Sequence, residues 1–183
     1  MAMVAGAAVA IAGTSGCAVN APAYSPSITN VSTLKNNGTA PIAVGAFSVK
    51  SGVPGATTLS LRGNPMSSAI GGNYAGYLAE ALRSELELAR RIDPKATIEI
   101  TGVLTRNELD AGIAKGTGLI EARFVVRRDG QVKFDKIKNA SAEWESAFAG
   151  PVAIPKAAQN YPLLVQSLLA ALYGDADFQA ALR

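Results

Sequence analysis

The chain of 183 residues has no histidine, a single cysteine, and no charged residue before Lys35. Without histidine, a Ser-His-Asp or Cys-His nucleophilic arrangement and a histidine-ligated metal are both excluded. One cysteine excludes an internal disulfide. Aromatic residues amount to 6%, and the basic residues form no run, Arg90-Arg91 and Arg127-Arg128 being the densest pairs. A net charge of +3 spread in this way lacks the clustered footprint of a nucleic-acid binder, so no nucleic-acid partner is expected. No repeat period is visible, and no apolar run approaches the ~20 residues of a membrane-spanning helix. An apolar fraction of 49% is ample for one core, and the length suits one domain.

What is present starts with an apolar run of small residues, Met1 to Ala12, followed by Thr14-Ser15-Gly16-Cys17 and a polar, proline-containing stretch. That order resembles the signal peptide and lipobox of bacterial lipoproteins. The run has about the length of a signal-peptide h-region. Ser15 and Gly16 fit the family pattern, whereas Thr14 departs from its preference for Leu, Val or Ile, and the positive n-region is missing. The resemblance implies removal of residues 1–16, acylation of Cys17 on its sulfur and its new amino group, and a lipid bilayer as partner. Ala18, in place of Asp, implies sorting to the outer membrane. Two acyl chains suffice for stable anchoring. The alternative is a small buried thiol, against which stands the lack of any apolar periodicity around Cys17.

Residues 17–40 read as the lipidated cysteine and a flexible tether, rich in Pro, Ser and Asn. Ile28, Val31 and Leu34 have helical spacing, which allows a short helix from about Asn30 that ends at Gly38. Residues 41–183 read as a single α+β domain. Ile42–Val49 is an apolar strand expected at the centre of a sheet or covered on two sides, and Thr57–Leu61 a short strand broken by Arg62-Gly63-Asn64-Pro65. Asn73 is a good N-cap for an amphipathic helix that runs to about Ile92 and ends before Asp93-Pro94. Thr97–Thr105 and Leu119–Arg128 alternate as half-buried strands around a glycine-containing loop, 106–118. Asp129-Gly130 is a type I′ hairpin signal, with a return strand from Gln131. Because Pro162 disrupts a helix interior, the last long helix is expected to start at Asn160 and stop at Gly174. The order predicts a two-layer sandwich: an antiparallel sheet of about four strands covered on one face by two amphipathic helices.

Ala43-Val44-Gly45-Ala46-Phe47, Leu78 to Leu88, Ile98-Glu99-Ile100-Thr101-Gly102 and Trp144-Glu145-Ser146-Ala147-Phe148 together resemble YajG-like periplasmic lipoproteins. More distantly they resemble the lipopolysaccharide-assembly lipoproteins. The first resemblance implies little chemistry, the second an outer-membrane β-barrel as partner. No binding residue carries over from either.

Candidate sites are few. Glu85 falls on the helical face of Tyr74, Leu78, Ala81 and Leu88, where a carboxyl must be paired or perturbed. It reads as a ligand anchor, as a structural ion pair, or as a residue on a stripe that leaves the core before that turn. Trp144 is an interface anchor or a core plug, and Tyr74, Tyr77 and Trp144 are the residues expected to line a carrier cavity if there is one. Glu143 with Glu145, or Glu121 with Glu145, are the acid pairs a glycosidase-like hydrolase needs at ~5–9.5 Å, with a solvated sheet face as the plainer reading. Gly71-Gly72-Asn73 matches no nucleotide fingerprint. No cofactor or metal is expected. The leading expectation is a non-enzymatic envelope lipoprotein, anchored by Cys17 and presenting its domain to an envelope protein. A carrier of a lipid, peptidoglycan fragment or small anionic ligand is the second expectation, and a carboxylate hydrolase the third.

Overall fold

The computed structural model describes residues 19–183, so Cys17 and the lipobox lie outside the described residues. The largest unit is a four-stranded sheet in the order β2-β5-β6-β7, formed by β2 (Ala43–Val49), β5 (Ile98–Asp110), β6 (Lys115–Arg128) and β7 (Gln131–Glu145). A three-stranded sheet, β1-β4-β3, joins β1 (Val19–Asn20), β3 (Thr58–Leu61) and β4 (Asn64–Ser67). The helices α2 (Tyr74–Leu88) and α3 (Gly150–Tyr173) pack on the large sheet, α2 over β2 and β5, α3 over β6 and β7. The shorter helices are α1 (Ile28–Asn36) and α4 (Ala176–Ala181).

The α+β class and the helix-on-sheet layering agree with the expectation. The sheet differs in being mixed. The three long strands are antiparallel, and the Asp129-Gly130 turn joins β6 to β7 with φ of 51° and 77°. Strand β2, however, runs parallel to β5. The reason is the connection, since α2 carries the chain back across the sheet before β5 begins, and such a crossover delivers a parallel neighbour. It also leaves β2 at an edge and not at the centre.

The strands outrun their expected ends. Gly116 and Gly118 read as loop signals but sit inside β6, where Gly116 makes room for Trp144 and Gly118 for Leu164 and Leu109. Helix α3 begins ten residues earlier than Asn160. Pro155 and Pro162 both lie inside it, at a cost of about 3 kcal/mol for an interior proline. Burial of Tyr161, Leu164, Val165, Leu168, Leu169 and Leu172, at about 1.5–3 kcal/mol for each large apolar side chain, outweighs that cost.

The largest correction concerns 19–40. This segment is a folded strap, not a solvated tether. β1 pairs with β4, Val19 opposite Met66, and α1 buries Asn30, Val31 and Leu34. Its prolines and small polar residues suggested solvation, yet its backbone and side chains are tied to the helices beneath. Tyr77 donates to Pro22 O at 2.8 Å, Gln166 Nε2 to Ser25 O at 2.7 Å, and Asn37 Nδ2 to Tyr173 O at 3.3 Å.

Candidate functional site

Asn73 caps α2 by accepting from Gly76 N at 2.9 Å, which fixes the phase of the helix. Tyr74, Tyr77, Leu78, Ala81, Leu82 and Glu85 then follow one another down its buried face. Glu85 is fully buried, whereas Leu88, expected on the same face, is 56% exposed. The strap therefore covers the helix at the turn that holds the carboxyl. Glu85 Oε1 accepts from Tyr24 Oη at 2.6 Å, Ser27 N at 3.0 Å and Asn30 Nδ2 at 3.2 Å. Asn30 Nδ2 also reaches Gln166 O on α3, at 3.0 Å. One oxygen thus gathers the strap, and the strap bridges two helices. Glu85 Oε2 and the Tyr173 hydroxyl are both buried, and neither completes a hydrogen bond. Burial first, then the neighbouring Glu85, pushes the Tyr24 phenol far above its ordinary range, and burial and Glu85 act on Tyr173 in the same order.

Tyr74 and Tyr77 do not line a cavity. Their rings pack against Tyr161, with centroids 4.9 and 5.4 Å away, and their exposures are 0% and 1%. Each hydroxyl has a structural partner: Tyr74 donates to Met66 O, Tyr77 to Pro22 O, and Tyr161 to Asn107 Oδ1. Burial raises all three phenol pKa values. Trp144 stands apart from this cluster. It faces the helix side of β7 and covers Gly116, its half-buried indole leaving Nε1 enclosed without a partner.

Glu121 and Glu145 do not converge, whereas Glu143 and Glu145 both border an open cleft of about 210 Å³ together with Lys115 and Trp144. Glu121 lies opposite Asn139 and Glu145 opposite Lys115, six residues further along the same ladder. At about 3.4 Å per residue that separation is roughly 20 Å, beyond any two-carboxylate mechanism. Glu143 and Glu145 are neighbours on the open face of the sheet, and Glu143 is held by Lys115 at 3.1 Å.

Two arginines carry structure that the sequence did not reveal. Arg62, in the β3–β4 turn, donates to the carbonyls of Ala111, Gly112, Ala147 and Phe148, joining that hairpin to the β5–β6 turn and the β7–α3 junction. Arg91, just beyond α2, is 2% exposed. Its Nε donates to Ala40 O at 3.0 Å and its Nη1 to Leu34 O at 2.9 Å. Nη2 is buried without a partner. Burial lowers the Arg91 pKa. The only advance signal was the pairing of Arg90 with Arg91, and charge alone does not distinguish a surface pair from a buried clamp.

Among the described residues no helix is long and apolar enough to cross a membrane. No family model and no curated protein matches the chain. Solved structures do. Protein XCC0632 from Xanthomonas campestris, of the family DUF330, superposes with a TM-score of 0.58 at 13% identity, covering 89% of this chain and 92% of that one. A Caulobacter crescentus CB15 protein described as "a putative lipoprotein" gives 0.45 at 16% identity, over 83% and 93% of the two chains. The hypothetical protein CT253 from Chlamydia trachomatis gives 0.44 at 10% identity, over 75% and 97%. At these identities the likeness is one of fold, and it is the Xanthomonas campestris protein of the family DUF330 whose α+β architecture this chain shares.

Proposed function

We propose that the protein is a lipoprotein of the bacterial cell envelope, acylated at Cys17, held at the outer membrane facing the periplasm, and acting without catalysis as an assembly module for another envelope protein. The observation that carries this reading is the junction between anchor and fold. Val19 already pairs with Met66, two residues after Cys17. Two residues span at most about 7 Å, so an acylated Cys17 holds the domain flush with the bilayer. The strap then passes the attachment to α2 and α3 through Glu85, Asn30 and Gln166. Such stitching suits a segment under load and has no counterpart in a free tether. Of the polar side chains named as candidates, Tyr74 and Tyr77 are engaged in packing, Glu85 in fastening the strap, Glu121 in a hydrogen bond from Thr105 and Glu143 in an exposed ion pair with Lys115.

Metabolic labelling with a fatty acid tests the anchor. Label on the wild type and none on Cys17→Ser is expected, and equal label on both overturns the assignment. Crosslinking in intact cells tests the partner. Recovery of one envelope protein, lost when the chain is released from the membrane by Cys17→Ser, is expected. A labelled chain that captures no protein leaves an anchor without an assembly role and sinks that half of the reading.

A further inference from the structure

The structure assigns a binding site for a phosphate group to the cavity between the end of α1 and the end of α2. This cavity, of about 420 Å³, is lined by Lys35, Gly38, Thr39, Ala89, Arg90 and Arg91. Three of these six residues are cationic and none is acidic.

Basic residues at helix C-termini have a ready explanation, because the terminal carbonyls present partial negative charge. Lys35 in the last turn of α1 fits it. Arg91 goes further. Its Nε and Nη1 already take the carbonyls of Ala40 and Leu34, and Nη2 is left over. A buried guanidinium has five N–H donors and no acceptor; Nη2 is closed off from solvent, so an anion in the cavity meets the charge of Arg91 and not this donor. No side-chain hydrogen bond or ion pair between Arg91 and a carboxylate is formed among the described residues. The cavity therefore brings together a buried, unneutralised cation, two exposed cations at its rim, and room for a tetrahedral oxyanion.

Arg90 adds an independent observation. It sits at φ 59°, in the left-handed region that glycine occupies cheaply. Its N–H bonds to Glu87 O and that of Arg91 to Leu86 O, the pattern of a Schellman helix end whose left-handed residue is ordinarily glycine. An arginine thus occupies a strained position at the cavity.

The phosphate can be free or part of a lipid headgroup. Lys35 also borders a second, apolar cleft of about 200 Å³ formed with Pro26, Ile28, Val31 and Leu88, where Ile28 is 85% exposed. A lipid places its phosphate at Arg91 and an acyl chain on this cleft, whereas inorganic phosphate uses the first cavity alone.

The test uses the full chain with Cys17→Ser, so that no attached lipid occupies the site, titrated with inorganic phosphate and with short-chain phosphatidic acid. Binding is read by calorimetry and by the NMR signal of the Arg91 Nε–H. The comparison variants are Lys35→Gln and Arg90→Gly, both at exposed positions, so that folding is retained. At least tenfold weaker binding in the double variant, with the Arg91 signal moved by ligand in the parent chain, is expected. Equal affinity per phosphate for the two ligands identifies a free phosphate site. Tighter phosphatidic acid binding that is lost on Leu88→Glu identifies a lipid headgroup. Failure of both ligands to bind at millimolar concentration overturns the assignment, as does binding that ignores the variants or leaves the Arg91 signal unmoved.

Discussion

Tyr24 donates its hydroxyl proton to Glu85 across 61 residues of sequence, at 2.6 Å. With Ser27 N and Asn30 Nδ2 on the same oxygen, Glu85 fastens the strap to α2. Replacing Glu85 by Ala strands three donors in or near the interior, and we expect a loss of about 3 kcal/mol in urea unfolding. Glu85→Gln keeps one acceptor oxygen and is expected to lose about 1 kcal/mol. The alanine variant should also become cleavable between residues 19 and 37 by a protease that leaves the wild type intact. A strap equally protected in both proteins contradicts the fastening role.

Glu85 was legible in the sequence because it interrupts an apolar face at 3.6-residue spacing, and the chain offers few charges with which to confuse it. Its partners were not legible. Tyr24, Ser27 and Asn30 stand among prolines and small polar residues, the composition of a solvated linker, and only tertiary hydrogen bonds to α2 and α3 show that their backbone is held. The same limit hid α3's first ten residues, because proline reports a missing N–H but not the burial that offsets it. It hid the parallel pairing of β2 as well, since alternation fixes which face a residue takes and not which neighbour its strand meets. Asp129-Gly130 and Asn73 were readable because a turn type or a cap is set by a few adjacent residues.

All five tyrosines of the chain have raised phenol pKa values, with burial the first cause in each. The unfolded chain releases these protons near pH 10, and the folded chain retains them. Stability contributed in this way is complete below pH 10 and falls as the pH rises above it, by about 1.4 kcal/mol per pH unit for each buried phenol. Tyrosinate absorbance near 295 nm should therefore be absent from the folded protein at pH 10.5 and appear in one step with loss of circular dichroism. A gradual rise in absorbance with the fold intact shows that the tyrosines are accessible and overturns the packing described for them.

The single tryptophan reports on β6. A Cβ placed on Gly116 collides with Trp144 Nε1, so Gly116→Ala must displace the indole. We expect a loss of about 1–3 kcal/mol and a red shift of the fluorescence as the ring moves toward solvent. In a Trp144→Leu background the same substitution should cost markedly less, because the contact it violates has gone. Equal costs in the two backgrounds assign the effect to the strand backbone.

Arg90 sets a stability term against a binding term. Its left-handed backbone costs about 1–2 kcal/mol for a residue with a Cβ, while glycine gives back about 0.4–1 kcal/mol by loosening the unfolded chain. Arg90→Gly should therefore stabilise the protein by about 0.5–1 kcal/mol. Arg90→Ala removes the same charge, keeps the strained backbone, and should leave stability nearly unchanged. The two variants lose the rim cation equally, so both should weaken phosphate binding by the same factor while differing in thermal midpoint. If glycine proves no more stable than alanine, the helix end is not strained, and the argument that Arg90 is kept at the cavity against its conformational preference fails. If instead glycine is more stable and phosphate affinity falls alike in both, the strained conformation is accounted for by the charge it holds in place.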